Sequence, residues 1–172
     1  MLKCLFRSLV VLAILLPALS YAEVDSLQDA VDAMDRGSYK QAYEGLLPLA
    51  REGDAQAQTL LGVIYNDGLG VKRDIQKARS WLYLAAEKEK ADAAFLLGLS
   101  YLSKTSTVKE NENAVYWIKF AARRDNLSAQ RFMALAYEKG WMNVETNDKN
   151  SRYWWERYGK LSQLKSAQKN IL

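Results

Sequence analysis

The sequence predicts an all-α fold, a solenoid of stacked antiparallel helix pairs, and three observations carry the prediction. Ala57, Leu60, Leu61, Gly62, Tyr65, Ala78, Trp81, Ala85 and Ala86 recur as Ala93, Leu96, Leu97, Gly98, Tyr101, Ala114, Trp117, Ala121 and Ala122, each pair separated by 36 positions (62 to 98, 81 to 117). A fixed period of that size marks a repeat array in which each supersecondary unit buries its apolar face against its neighbours. Inside each unit the apolar residues fall at helical spacing, and glycine or aspartate stands between the runs.

The chain begins with a segment that reads as an export signal. Lys3 and Arg7 precede an unbroken apolar run from Leu9 to Leu16, and Ser20, Tyr21 and Ala22 place small residues where a signal peptidase cuts. Residues 1–22 are therefore expected to be removed. A kept membrane anchor is the alternative, but Pro17 leaves the run shorter than the roughly 20 apolar residues of a span. Cys4, the only cysteine of the 172-residue chain, lies within this segment, far from where a lipoprotein signal needs one. The mature chain would hold neither disulfide nor thiol, in a periplasmic or secreted location.

Residues 23–172 suit one domain. Without Lys3 and Arg7 the formal net charge falls from +4 to about +2, too balanced for an exported nucleic-acid binder. A first helix pair is expected over 25–53. Leu27, Ala30, Val31 and Met34 form one apolar face after Asp25 or Ser26; Gly37 ends that helix, and Tyr39, Ala42, Tyr43, Leu46, Leu47 and Ala50 form the next. Pro48 lies inside the second pattern and should bend it.

Three repeats follow, at about 55–90, 91–126 and 127–160. In the first, Gly62 sits within a helix, at a cost of up to about 1 kcal/mol relative to alanine, so a closely approaching partner helix is expected there. Asp74 is expected to cap the second helix of that unit. The second unit replaces the glycine loop by Ser103 to Asn113, whose Ser103-to-Thr107 part should be exposed and mobile. The third keeps Ala129, Phe132, Met133, Ala134 and Tyr137, but Tyr153 takes the tryptophan position, and Asn150 and Arg157 replace alanines, as suits a terminal unit. Residues 160–172, with Leu161, Leu164 and Ile171, read as a capping helix.

Ala57, Leu61, Gly62, Tyr65, Gly68, Gly70, Val71, Asp74, Lys77, Ala78, Trp81, Ala85 and Ala86 together resemble a Sel-one-like repeat, a longer-looped relative of the tetratricopeptide repeat. The resemblance spans roughly Ser38 to Tyr158 and implies a right-handed superhelix. It also implies a concave groove lined by the first helix of each pair. Carried onto this chain, the groove positions are Gln56, Thr59, Val63 and Asn66; Asp92, Phe95, Leu99 and Leu102; and Ser128, Arg131, Leu135 and Glu138. These side chains either bind a partner or fill the space between adjacent first helices.

Chemistry is sparse. With no histidine, the usual hydrolase triads and histidine metal sites are unavailable, and no cofactor or metal ligand set is expected. Asp67 and Asp74 flank the glycine loop as a turn residue and a cap rather than as an acid/base pair. Gly68 and Gly70 lack the spacing and the lysine of a phosphate loop, and Asn126-Leu127-Ser128 fits an acceptor pattern without meaning in a bacterial export product. Trp141 and Trp155, which fall off the period, are either interface anchors or cap packing.

With the export signal, the resemblance implies a non-enzymatic periplasmic module that holds a protein or peptide partner through the concave groove and the Ser103 to Asn113 loop. Within it, some short exported chains are immunity proteins that neutralise toxins delivered into the periplasm, such as type VI secretion lipases. Some secreted members are described as penicillin-binding or β-lactamase-like, but those are cysteine-rich, which sets this chain apart.

Overall fold

The computed structural model describes residues 27–103 and 105–169, so the predicted leader lies outside the described residues. The helices are α1 (residues 27–35), α2 (Tyr39–Glu52), α3 (Ala55–Asp67), α4 (Ile75–Glu87), α5 (Ala91–Ser100), α6 (Val108–Arg123), α7 (Leu127–Lys139) and α8 (Asp148–Lys169). A short 3-10 turn, Trp141–Asn143, precedes α8. No strand occurs among the described residues. None of these helices is long and apolar enough to cross a membrane.

Packing follows chain order, as expected of a solenoid. Within the units α3 packs on α4, α5 on α6 and α7 on α8; between them α2 meets α3, α4 meets α5 and α6 meets α7. The buried residues are mostly the small and branched letters of the period, among them Ala57, Leu61, Ala78, Ala85, Ala86, Ala93, Leu97, Ala114, Ala121 and Ala122. Alanine at these positions lets helix axes approach closely, and leucine or isoleucine fills the space between them.

The two helical glycines mark the closest approaches. A Cβ on Gly62 would lie 2.5 Å from Leu82 Cγ, and one on Gly98 would lie 2.5 Å from Ile118 Cγ1 and 3.1 Å from both Ala114 O and Ile118 N. The expected packing reason is therefore present in both units. In the loop after α3, Gly70 has φ +67°, and its Cβ would fall 2.7 Å from Lys40 N, so this loop seats against the start of α2.

A second periodic feature lies at the junctions between units. Gly53, Glu89 and Asp125, again 36 apart, all adopt left-handed backbone, with φ of 99°, 63° and 61°. Each follows a second helix, and the next amide bonds back into that helix, as in Asp54 N to Leu49 O at 2.9 Å and Asn126 N to Ala121 O at 3.2 Å. A basic residue from the following unit seals each junction: Lys88 Nζ donates to Gly53 O, Arg124 to Glu89 (2.8 Å) and Arg157 to Asp125 (2.7 Å). The junctions also carry the caps. Asp54 accepts from Ala57 N at 2.6 Å and Asn126 from Ala129 N at 2.7 Å, while Asp74 caps α4 through Lys77 N at 3.0 Å.

Helix α2 runs to Glu52 with Pro48 inside it, as expected. Three other expectations differ in detail from the structure. Helix α5 ends at Ser100, whose hydroxyl donates to Leu97 O at 2.6 Å, so Leu102 stands beyond the helix rather than on it. The divergent loop is shorter than expected, because Thr107 and Glu110 form a capping box that starts α6 at Val108 and turns residues 108–113 into helix. Ser103, Thr105 and Thr107 are exposed, and the partly buried Ser106 ties this stretch down: its hydroxyl accepts from Ser103 N at 2.5 Å and lies 3.0 Å from Tyr101 O. Finally, α8 runs unbroken through Gly159, so the last repeat helix and the expected capping helix are one element, with residues 163–169 all exposed.

Candidate partner-binding groove

Helices α1, α3, α5 and α7 are the first members of successive pairs, and α3 also touches α5 directly. Along this row the helical register turns Leu61, Gly62, Leu97 and Gly98 into the body. The residues one position and about one turn away therefore point outward between neighbouring first helices. Gln56, Asp92, Ser128, Arg131 and Glu138 are exposed; Thr59, Val63, Asn66, Phe95, Leu99, Leu102 and Leu135 are partly buried.

Two hollows lie along the row. One of about 190 Å³ is lined by Gly62, Val63, Asn66, Asp67, Leu82, Leu96, Leu99 and Ser100, which brings Val63, Asn66 and Leu99 together over the buried side chain of Leu82. Its walls are apolar, and its polar groups gather at the C-terminal ends of α3 and α5. There Asn66 Nδ2 donates to Asp67 at 2.7 Å. The second hollow, of about 600 Å³, lies where α1 faces the α2–α3 junction. Its lining includes Leu27, Val31, Leu49, Glu52, Asp54 and the predicted Gln56.

The remaining predicted positions are engaged in different ways. Phe95 meets Phe132 edge to face at 6.3 Å, and Phe132 meets Trp141 at 6.0 Å, so an aromatic row joins α5, α7 and the turn after α7. Thr59 donates back to Ala55 O at 2.7 Å, so its hydroxyl proton serves its own helix. Asp92 accepts from Asn126 at 2.6 Å and Glu138 from Trp155 Nε1 at 3.2 Å. The same contacts place the two off-period tryptophans: Trp141 stays 41 % exposed, while Trp155 is partly buried at the terminal pair.

Residues 82, 96, 67 and 100 line the smaller hollow without having been singled out from the sequence as groove residues. Leu96 had a legible signal, since Leu60, Leu96 and Phe132 share one register. Leu82 had one too, as an apolar neighbour of the periodic Trp81. Asp67 and Ser100 depend on where two helices end, which periodicity does not define.

The strongest local electrostatic effects lie away from the groove and support the frame. Burial, with the Tyr43 hydroxyl 3.0 Å away, pushes the Tyr65 phenol up to about 12. The Thr107 backbone amide and hydroxyl hold the Glu110 carboxyl below its usual range, and Arg79 adds to that effect. Arg79 also donates to Ser100 O at 2.7 Å and stacks over Tyr101 at 4.1 Å, which ties the divergent loop to α4. Among the described residues no three or more His, Cys, Asp or Glu side chains stand together as metal ligands.

An all-α array of antiparallel pairs, with small residues at the helix crossings and a row of first helices bordering a groove, is the architecture of an α-solenoid repeat protein. Sel1 repeats match residues 55–89, 91–126 and 127–159, and the chain belongs to the Sel1 repeat family. It is similar to the crystal structure of a Sel1 repeat protein from Oxalobacter formigenes, with a TM-score of 0.70 and 30 % identity over 78 % of this chain and 55 % of that one. It is also similar to c5321, a protective antigen present in uropathogenic Escherichia coli strains that displays an SLR fold. There the TM-score is 0.70 and the identity 26 %, over 83 % of this chain and 31 % of the other. The chain thus spans about half the length of the first and a third of the second. A search of curated proteins finds no match.

Proposed function

We propose that this chain is a non-catalytic interaction module that holds a protein or peptide partner in the groove formed by α3, α5 and α7, in the periplasm or outside the cell. The observation that carries the reading is the hollow beneath Val63, Asn66 and Leu99, with the Phe95, Phe132 and Trp141 row beside it. Partly exposed apolar and aromatic side chains around a concavity make anchor sites for a partner. The extracytoplasmic location rests on residues 1–22 as a sequence signal. Catalysis has no support in the side chains present, since no histidine or mature cysteine exists to activate a nucleophile.

Phe95→Arg tests the groove. The variant is expected to lose capture of the partner recovered by pull-down from periplasmic extract, with helical circular dichroism and thermal midpoint near those of the parent. Unfolding of the variant would instead assign Phe95 to the core. The narrower reading as an immunity protein predicts that a toxin encoded beside this chain is the captured partner and that its activity falls on binding. A captured partner without toxic activity returns the reading to an adaptor.

A further inference from the structure

The three junctions between units match position by position, and the middle one lacks what the other two share. At the first, Gly53 is the left-handed residue, the Asp54 carboxylate caps α3 through Ala57 N at 2.6 Å, and Gln58 Nε2 donates to Ala50 O at 3.0 Å. At the third, Asp125 is left-handed, Asn126 caps α7 through Ala129 N at 2.7 Å, and Gln130 Nε2 donates to Ala122 O at 3.1 Å. Both glutamines are buried, and each clamps the start of a first helix to the end of the second helix before it.

Between α4 and α5 the equivalent residues are Glu89, Lys90 and Ala94. Glutamate is less suited to φ +63° than glycine or aspartate. Lys90 gives α5 no side-chain cap, and Ala94 carries no amide to clamp with. The side-chain ties at the start of α5 come from the unit after it: Asn126 donates to Asp92 at 2.6 Å, Arg124 pairs with the exposed Glu89 at 2.8 Å, and Phe132 meets Phe95. Towards α4 the packing is rich in alanine, with Ala85 and Ala86 of α4 and Ala93 and Ala94 of α5 in one buried cluster beside Leu82 and Leu97. Small faces hold helices close without interlocking and let them slide. Helix α4 is interlocked with α3 instead, because Leu82 seats over Gly62 and Lys88 donates to Gly53 O.

At its other end α5 is fastened to α4. Arg79 donates to Ser100 O at 2.7 Å, stacks over Tyr101 and pairs with Glu110 at 3.7 Å. The smaller hollow, with Val63, Asn66, Leu99 and Ser100 in its lining, lies between α3 and α5 towards that end. We infer that the α4–α5 junction is the hinge of this array: α5 to α8 turn as one body against α1 to α4 about Lys88 to Lys90. Arg79 latches the far end, and the motion sets the width of the hollow. Hinges of this kind are a few residues at the ends of elements that absorb the backbone change while packed helices slide. The hinge belongs to the frame and is present whether or not a partner occupies the groove.

Backbone bonding is the same at all three junctions, so amide exchange compares them directly. Lys90 N donates to Ala85 O and Ala94 N to Lys90 O; Asp54 and Gln58 bond to Leu49 O and Asp54 O, and Asn126 and Gln130 to Ala121 O and Asn126 O. In native-state hydrogen exchange of the mature chain, corrected for intrinsic rates, Lys90 and Ala94 are expected to exchange about tenfold or more faster than these four counterparts. Lys90→Asn adds the missing cap, leaves the Glu89–Arg124 pair in place, and is expected to remove most of the difference.

Movement of the two bodies is read from distances between spin labels on pairs of introduced cysteines, since Cys4 of the leader is the only native one. A pair at the exposed Asp67 and Lys139, the ends of α3 and α7, spans the hinge; a pair at the exposed Asp35 and Asp67 lies within α1 to α4. The spanning pair is expected to give the broader distribution, narrowed by Lys90→Asn to roughly half its width and broadened by Arg79→Gln, with the other pair unchanged by either. Equal exchange at the three junctions overturns the inference. Fast exchange at Lys90 with a spanning distribution that Lys90→Asn leaves unchanged overturns it too, because the opening is then confined to the first turn of α5.

Discussion

Gly98→Ala is expected to destabilise the protein by about 2 kcal/mol, the net of two opposed effects. Alanine in a helix interior is favoured over glycine by up to about 1 kcal/mol, which alone would stabilise α5. Overpacking a closed core costs about 1–3 kcal/mol, and here the cost falls at the high end. The new Cβ would meet the Ile118 side chain at 2.5 Å and the α6 backbone, at Ala114 O and Ile118 N, at 3.1 Å. A side chain can change rotamer, whereas the backbone moves only if α6 shifts as a whole. The thermal midpoint should fall by about 4–8 °C in a domain of this size. Gly62→Ala is the matched control: its Cβ meets only the Leu82 side chain, so its loss should be about half as large. A neutral or stabilising Gly98→Ala would mean that α5 and α6 are not packed at this distance.

Alkaline titration should expose a second large effect, at Tyr65. The phenol is 8 % exposed and accepts or donates a 3.0 Å bond with the Tyr43 hydroxyl. Burial first, and the Tyr43 hydroxyl second, raise it from 10.0 to about 12. Below pH 10 the phenol is neutral in both folded and unfolded chains, and the stability of this contact is fully present. Between pH 10 and pH 12 the unfolded chain loses the proton while the folded chain keeps it. Stability therefore falls across that window by roughly 3 kcal/mol, and no further above it from this group. Tyr65→Phe should remove that part of the fall in denaturation midpoints measured across the window. An unchanged alkaline profile in the variant would show that Tyr65 does not titrate with the fold.

The frame of this molecule was legible because packing constraints repeat. Gly62 and Gly98 are forced by Leu82 and Ile118, and Ala85 with Ala121 by the crossing of neighbouring helices, so the same letters return at the same spacing. The junctions were harder to read. Glu89 and Asp125 take the left-handed conformation of Gly53; aspartate tolerates positive φ better than most residues, but glutamate does not announce it, so the register with Gly53 was the available sign.

The groove was legible only in part. Its positions follow from helix periodicity, and Val63, Asn66 and Leu99 do converge on one hollow. Its ends depend on where helices stop, and these are set by local hydrogen bonds such as Ser100 Oγ to Leu97 O and the Thr107–Glu110 capping box. Leu102 was therefore expected on a helix that ends before it, and Val108 to Asn113 in a loop that is helical.

Outward-facing helices also expose apolar residues, notably Tyr83, Leu84 and Tyr116 on α4 and α6. Site-specific photo-crosslinking therefore tests the central claim most directly, with a photoreactive residue placed in turn at Val63, Leu99, Leu84 and Tyr116 and the chain expressed in its native compartment. Adducts to the partner from Val63 and Leu99, with none from Leu84 or Tyr116, are the result expected of a groove-binding module. Adducts confined to Leu84 and Tyr116 would contradict it and move the interaction surface to the second helices.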